Sequence, residues 1–191
     1  MTSLNIMMVG VGGQGTLLAS RILGIVALKN GFDVKVSEVH GMSQRGGSVV
    51  TYVKMGEKVY SPLIEKGEAD VIMAFEKLEA LRWSDFLKSG ATMLVNDQEI
   101  DPMPVITGNV VYPTEILEKL ASKDGEIVSV NALEIAKKCG NIKAVNVVLI
   151  GMMAVRTTLP KEEWIAALKE IVPAKVLTIN LRAFEEGYAL K

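Results

Sequence analysis

Ile6-Met7-Met8-Val9 runs straight into Gly10-Val11-Gly12-Gly13-Gln14-Gly15, and residues 16–28 follow with Leu18, Ile22, Ile25 and Val26 at helical spacing. A short apolar run, a glycine turn and an amphipathic run specify a buried strand, a tight turn and a helix that packs back on that strand. Gly31 is placed to end the helix in the left-handed conformation, which a residue without a side chain adopts freely. Residues 33–39 alternate and predict a second strand. Strand, glycine turn, helix, strand is the opening of a nucleotide-binding α/β unit.

The next stretch departs from that plan. In a dinucleotide fold the second strand leads into a helix. Here residues 38–48 form a polar loop, Glu38-Val39-His40-Gly41-Met42-Ser43-Gln44-Arg45-Gly46-Gly47-Ser48. Residues 48–55 then carry Val49, Val50, Thr51, Tyr52 and Val53, a β-branched and aromatic run that predicts another strand. Gly56-Glu57 reads as a hairpin turn into Lys58-Val59-Tyr60.

Further strands are expected at residues 70–75, 92–96 and 126–130. Helices are expected at 76–87 with Gly90 as terminator, at 113–120 started by Pro113 and Thr114, and at 132–138 ended by Gly140. Residues 97–109 contain Pro102 and Pro104 and read as irregular, at the edge. From residue 141 onward the chain is helical, with an apolar helix after Lys143 and two more begun at Pro160 and Pro173. The expected fold is α/β: a Rossmann-like central sheet with helices on both faces, a hairpin-type strand after the second strand, and a helical C-terminal third. The 191 residues are read as a single domain with a substantial core.

Composition narrows the function classes. A net charge of -1 argues against a nucleic-acid surface, which normally shows a basic excess. One cysteine, Cys139, and one histidine, His40, cannot make an internal disulfide or a zinc or iron–sulfur ligand set. No metal site is expected on this chain. The longest apolar run, residues 147–155, is far shorter than the roughly 18 residues of a membrane span. No targeting segment is expected, and a reduced, cytoplasmic setting fits. A mean hydropathy of +0.30 is high for such a chain, which leaves room for a partner surface beyond the core.

Two stretches carry chemistry. The first, Gly10, Gly12, Gly13, Gln14 and Gly15, permits a tight turn and close backbone approach at a helix N-terminus that favours anions. Glu38 lies near where the ribose-binding acid of a dinucleotide site would sit, roughly 20 residues past the last glycine. Alone this suggests NAD; the alternative is that the turn packs against protein or holds another phosphate. In the second stretch, His40 is the one candidate general base, with Glu38 to orient it, or else it fixes the loop by hydrogen bonds. Arg45, beside Gly46 and Gly47, can clamp a carboxylate or phosphate, or pair with Glu38. Ser43 and Ser48 lack the Gly-x-Ser-x-Gly elbow and a paired base, so neither is read as a nucleophile.

Together these stretches resemble the γ-type domain of the 2-oxoacid:ferredoxin oxidoreductases. Tyr60-Ser61-Pro62-Leu63-Ile64, Ala69-Asp70-Val71, the Ala144-Val145-Asn146-Val147-Val148-Leu149 helix and Asn180-Leu181-Arg182-Ala183-Phe184 extend the resemblance over nearly the whole chain, towards the β subunit of the indolepyruvate enzymes. The resemblance implies oxidative decarboxylation of a 2-oxoacid, an arylpyruvate such as indolepyruvate in the members it resembles, with coenzyme A as co-substrate and ferredoxin as electron acceptor. It implies that this chain is an accessory subunit, inactive alone. Thiamine diphosphate, Mg and 4Fe-4S clusters would sit on a larger α subunit, and isolated chains can self-associate through the surface left by that partner. The residues it places towards cofactor, substrate or partner are Gly10, Gly12, Gly13, Gln14, Gly15, Glu38, His40, Gly41, Met42, Ser43, Gln44, Arg45, Gly46 and Gly47. Two other readings stay open, a free-standing NAD(P)-binding oxidoreductase and a non-catalytic interaction subunit.

Overall fold

The computed structural model describes residues 3–40 and 47–190, with only the backbone of His40. Strand β1 (Ser3–Val11) leads through the glycine turn into α1 (Thr16–Lys29). Strands β2 (Asp33–His40), β3 (Ser48–Gly56) and β4 (Ala69–Ala74) follow, then α2 (Lys77–Trp83) and β5 (Leu87–Asn96). After these come α3 (Met103–Ile106), α4 (Ile116–Ala121) and β6 (Gly125–Val130). The C-terminal part is α5 (Ala132–Cys139), α6 (Val145–Ala154), α7 (Lys161–Ile171) and α8 (Ala174–Tyr188).

The six strands form one sheet in the order β2-β3-β1-β4-β5-β6. β4 pairs parallel with both β1 and β5, and β5 pairs parallel with β6. β3 runs antiparallel to both β1 and β2, so it alone is reversed. Alternation along β1 splits the core. Ile6 and Met8 join the cluster under α1 and α5 to α8, whereas Met7 and Val9 join the one under α2 and α4. Helices therefore cover both faces, as the Rossmann-like expectation required, and the last third is helical.

α6 is buried from Asn146 to Ala154 because it lies between the sheet and α8. The crossing is close at two glycines. A Cβ on Gly151 would stand 2.3 Å from Phe184 O, and one on Gly187 would stand 2.0 Å from Val148 O.

Four local expectations need correction. Residues 58–60 form no strand, because β3 is already flanked by β2 and β1 and has no free edge for a further partner. Val59 N–H instead donates to Asp33 Oδ2 at 2.9 Å. Gly90 does not terminate a helix: α2 stops at Trp83, a single 3-10 turn spans Ser84–Phe86, and Gly90 sits inside β5 with φ +72. The β4–β5 register shifts between Ala69 and Val71, so Gly90 supplies the left-handed residue of a bulge. The helix expected from Pro113 starts at Ile116 instead, with Glu115 as its N-cap at φ 57. Residues 97–109, expected to be irregular, include the four-residue helix α3.

Candidate functional site

The parallel strands β1, β4 and β5 end on one edge of the sheet. β2 runs the same way, two antiparallel steps removed, so the loop after His40 leaves from that edge too. In open α/β sheets ligands bind at this edge, where the strand order diverges. Here divergence falls between β1 and β4, at the glycine turn.

Gln14 organises the turn. Its Oε1 accepts Val11 N–H at 2.7 Å, and its Nε2 donates to Phe75 O at 2.9 Å, at the end of β4. Phe75 O also accepts Asn96 Nδ2 at 3.0 Å, while Asn96 Oδ1 accepts Ala132 N–H at 3.1 Å at the start of α5. The ends of β1, β4, β5 and α5 are thus tied through two side-chain amides. The crevice between β1 and β4 is filled by the protein itself. A Cβ on Gly10 would lie 2.7 Å from Gln14 Oε1 and 3.0 Å from Phe75 Cβ. Gly10 is therefore a packing requirement of Gln14.

Gly13 and Gly15 have φ of +100 and +87. Gly15 is the N-cap of α1, which has no side-chain cap and no acid in its first turn, so its positive dipole end is left uncompensated within the helix. Behind Gly15 lies Asn146 on α6, 5% exposed, with its Oδ1 lacking a hydrogen-bond partner. On one side of the turn is a cleft of about 420 Å³ walled by Gly13, Gln14, Gln98, Ile100, Lys143 and Asn146. On the other is one of about 350 Å³ walled by Gly12, Gly13, Thr16, Leu17, Glu38 and Val49. Gly13 borders both, and a Cβ there would meet nothing within 4 Å.

The two ends of the polar loop are fixed beside the turn. Gly12 N–H donates to Gly47 O at 2.9 Å, and Ser48 pairs with Val11 in the ladder. His40 pairs with Val49 at the end of β2. Thr16 Oγ1 donates to half-buried Glu38 Oε1 at 3.4 Å, which joins β2 to the start of α1. The structure therefore brings Gly10, Gly12, Gly13, Gln14, Gly15, Glu38 and Gly47 together. The His40 side chain and Gly41, Met42, Ser43, Gln44, Arg45 and Gly46 lie outside the described residues, as do the Arg45–Glu38 pairing and the Ser43 hydroxyl.

Sequence reasoning missed the acids of α2. Glu79, 4% exposed, accepts the Ser48 hydroxyl and Trp83 Nε1 on one oxygen and Arg82 Nε at 3.1 Å on the other, so it anchors the root of the polar loop. Glu76, 1% exposed, caps α2 through Glu79 N–H at 2.8 Å. Its other oxygen accepts Ile100 N–H at 3.2 Å and the Tyr112 hydroxyl. Burial raises the Glu76 carboxyl above its ordinary value, against the lowering by those three donors. Burial, then the carboxylate beside it, pushes the Tyr112 phenol up. The available signal was an acid directly after an apolar strand and three residues before a second acid, which marks an N-cap. Cys139 is buried, and burial raises its thiol, which suits packing rather than reactivity. Among the described residues, no group of three or more His, Cys, Asp or Glu could hold a metal ion. No helix of the described chain is long and apolar enough to cross a membrane.

Residues 5–190 match the family described as pyruvate ferredoxin/flavodoxin oxidoreductase. The chain belongs to this family. Indolepyruvate oxidoreductase subunit IorB from Thermococcus kodakarensis is 44% identical over 194 residues, covering 98% of this chain and 95% of that protein. The gamma subunit of a keto/oxoacid ferredoxin oxidoreductase from Geobacter sulfurreducens superposes with a TM-score of 0.73 at 24% identity, covering 97% of this chain and 96% of that one. A 2-oxoglutarate:ferredoxin oxidoreductase from Magnetococcus marinus, solved with 2-oxoglutarate, coenzyme A and succinyl-CoA, superposes with a TM-score of 0.78 at 20% identity. It covers 99% of this chain but only 31% of that longer polypeptide. The two superpositions establish a shared fold. Within it, the reversed β3 occupies the place beside β1 that a dinucleotide fold gives to its second strand, which moves Glu38 one strand outward and disfavours a nicotinamide site.

Proposed function

We propose that this chain is the accessory, γ-type subunit of a 2-oxoacid:ferredoxin oxidoreductase, working on arylpyruvates such as indolepyruvate. The observation that carries this reading is the 44% identity to an IorB subunit over 98% of the chain. The complex would convert the 2-oxoacid and coenzyme A to acyl-CoA and CO2, with reduction of ferredoxin. Thiamine diphosphate with Mg, and 4Fe-4S clusters, would be held by a larger subunit. This chain has a single cysteine, too few for a cluster's usual four thiolates. We read residues 1–191 as one γ-type domain working in the cytoplasm.

In this reading the glycine turn and the loop of residues 38–48 form one wall of a site that the larger subunit completes. The uncapped start of α1 and the open backbone around Gly13 suit an anionic group, and Arg45 would add a bidentate donor. Coenzyme A, bound in the Magnetococcus marinus enzyme, has that chemistry. The test is co-expression with the larger subunit, followed by a dye-reduction assay dependent on arylpyruvate and coenzyme A. Arg45→Ala and Gln44→Ala are expected to lower turnover or raise the coenzyme A requirement. Normal kinetics for both substrates in both variants would remove the loop from the site. A complex that reduces dye with no arylpyruvate dependence would overturn the substrate assignment.

A further inference from the structure

Residues 97–118 stand apart in charge. They hold Asp97, Glu99, Asp101, Glu115 and Glu118 and no lysine or arginine, whereas the remaining residues, with 21 Lys and Arg against 17 Asp and Glu, carry +4. Lys77 pairs with Asp97 at 3.1 Å and with Glu99 at 2.7 Å, so the acidic excess of the stretch lies on Asp101, Glu115 and Glu118. Within them, residues 101–111 form an arm beyond the end of β5. It carries Met103, Ile106 and Val111 at 59%, 65% and 87% exposure. Three large apolar side chains exposed on so short a segment mark an interaction surface.

The arm is preformed. Val105 and Ile106 N–H donate to Pro102 O at 2.9 and 3.1 Å, Thr107 N–H to Met103 O at 2.9 Å, and Val110 N–H to Pro104 O at 3.2 Å. Both its ends are fastened to one buried oxygen, because Glu76 Oε1 accepts Ile100 N–H and the Tyr112 hydroxyl. A segment already held in shape loses little conformational freedom when it docks.

We propose that this arm docks the larger, cofactor-bearing subunit, its apolar tip entering a slot rimmed by lysine and arginine on that partner. The inference rests on the reading of the chain as an accessory subunit. Position supports this occupant. Gln98 and Ile100, at the root of the arm, form one wall of the cleft whose other wall is Gly13 and Gln14. A subunit that covers the glycine turn is therefore adjacent to the arm. The Magnetococcus marinus enzyme carries the same fold as 31% of a longer polypeptide, where it is continuous with further protein. Charge disfavours a second copy of this chain as occupant. A two-fold contact would set the same acidic stretch against itself.

The test uses the full chain with the larger subunit, comparing wild type with Met103→Ser/Ile106→Ser/Val111→Ser and with Asp101→Lys/Glu118→Lys, which leaves the Lys77–Glu99 pair intact. Binding is measured at low and high salt, with the Tm of each free chain. The triple variant is expected to bind at least about tenfold more weakly, as loss of a central apolar anchor does, with an unchanged Tm. The charge-reversed variant is expected to bind more weakly at low salt and to lose its salt dependence. Leu28→Ser, on the exposed face of α1, serves as the control and should bind normally. Wild-type affinity in the triple variant would overturn the proposal. So would a triple variant that loses only self-association of the free chain, which would identify a second copy as occupant. If wild type itself fails to bind the larger subunit, the accessory-subunit reading falls, a separate outcome.

Discussion

Gly13 and Gly15 are two left-handed glycines in one turn with different surroundings, and that difference can be measured. Alanine at either position adopts a conformation that costs roughly 1–2 kcal/mol for a residue with a Cβ. A stiffer unfolded chain offsets about 0.4–1 kcal/mol of this. For Gly13→Ala nothing more is added, because its Cβ meets nothing within 4 Å. The expected net loss is about 1 kcal/mol, or about 2–4 °C in Tm for a chain of this size. For Gly15→Ala the new Cβ lies 2.5 Å from Asn146 Nδ2 and 3.2 Å from its Cγ. Forcing buried Asn146 aside adds an overpacking term of about 1–3 kcal/mol, so the total is about 2–4 kcal/mol. Asn146→Ala should remove that added term, since the Asn146 Cβ stands at an ordinary 3.5 Å. The assay is urea unfolding of Gly13→Ala, Gly15→Ala, Asn146→Ala and the Gly15→Ala/Asn146→Ala double variant. The double variant should lose no more, relative to Asn146→Ala, than Gly13→Ala loses relative to wild type. Equal losses for Gly15→Ala with and without Asn146 would refute the steric argument. Because Gly13 borders both clefts and a methyl there would stand in open space, Gly13→Ala should also lower turnover of the assembled enzyme by more than its stability loss explains.

The raised Glu76 carboxyl makes a pH prediction. The folded state holds this proton more tightly than the unfolded chain, so its contribution is most favourable below the ordinary carboxylate pKa and declines as pH rises through the raised value. Subtracting Glu76→Gln from wild type in urea titrations from about pH 4 to pH 8 should reveal a downward slope; a flat difference would contradict the assignment. Helix contacts give another. Gly187→Ala should cost about 3 kcal/mol or more by driving its Cβ into Val148 O. Gly24→Ala, inside α1 with nothing within 4 Å, should stabilise by roughly 0.5–1 kcal/mol, as read from thermal unfolding.

Local pattern made much of this architecture legible. The alternation in residues 33–39 and the branched run at 48–55 correspond to β2 and β3, and the all-round apolar stretch after Lys143 to the buried α6. The errors arose where non-local pairing decides. Whether Gly56 turns into a hairpin depends on whether β3 has a free edge, and both its edges are taken. Gly90 resembles a helix stop until the bulge between β4 and β5 is known. The site divides the same way. The glycine turn is visible as a motif, but the acceptor of the Gln14 amide N–H lies 61 positions away at Phe75. The Glu76 clasp on Tyr112 spans 36 positions. Neither pairing leaves a periodic trace in the chain.

Those distant contacts alter what the glycine motif means. In a dinucleotide site the turn is glycine-rich so that a pyrophosphate can approach the backbone at the switch point. Here the switch point is closed by Gln14, and Gly10 is needed to admit that amide. What stays open is the outer rim of the turn, Gly12, Gly13 and Gly15, bordered by clefts on both sides. Reversal of β3 has a matching effect. It brings Gly47 O onto Gly12 N–H and so moors the polar loop to that rim. A small change in topology, one antiparallel strand set between β1 and β2, thus turns a motif suited to enclosing a dinucleotide into a surface that another protein can cover.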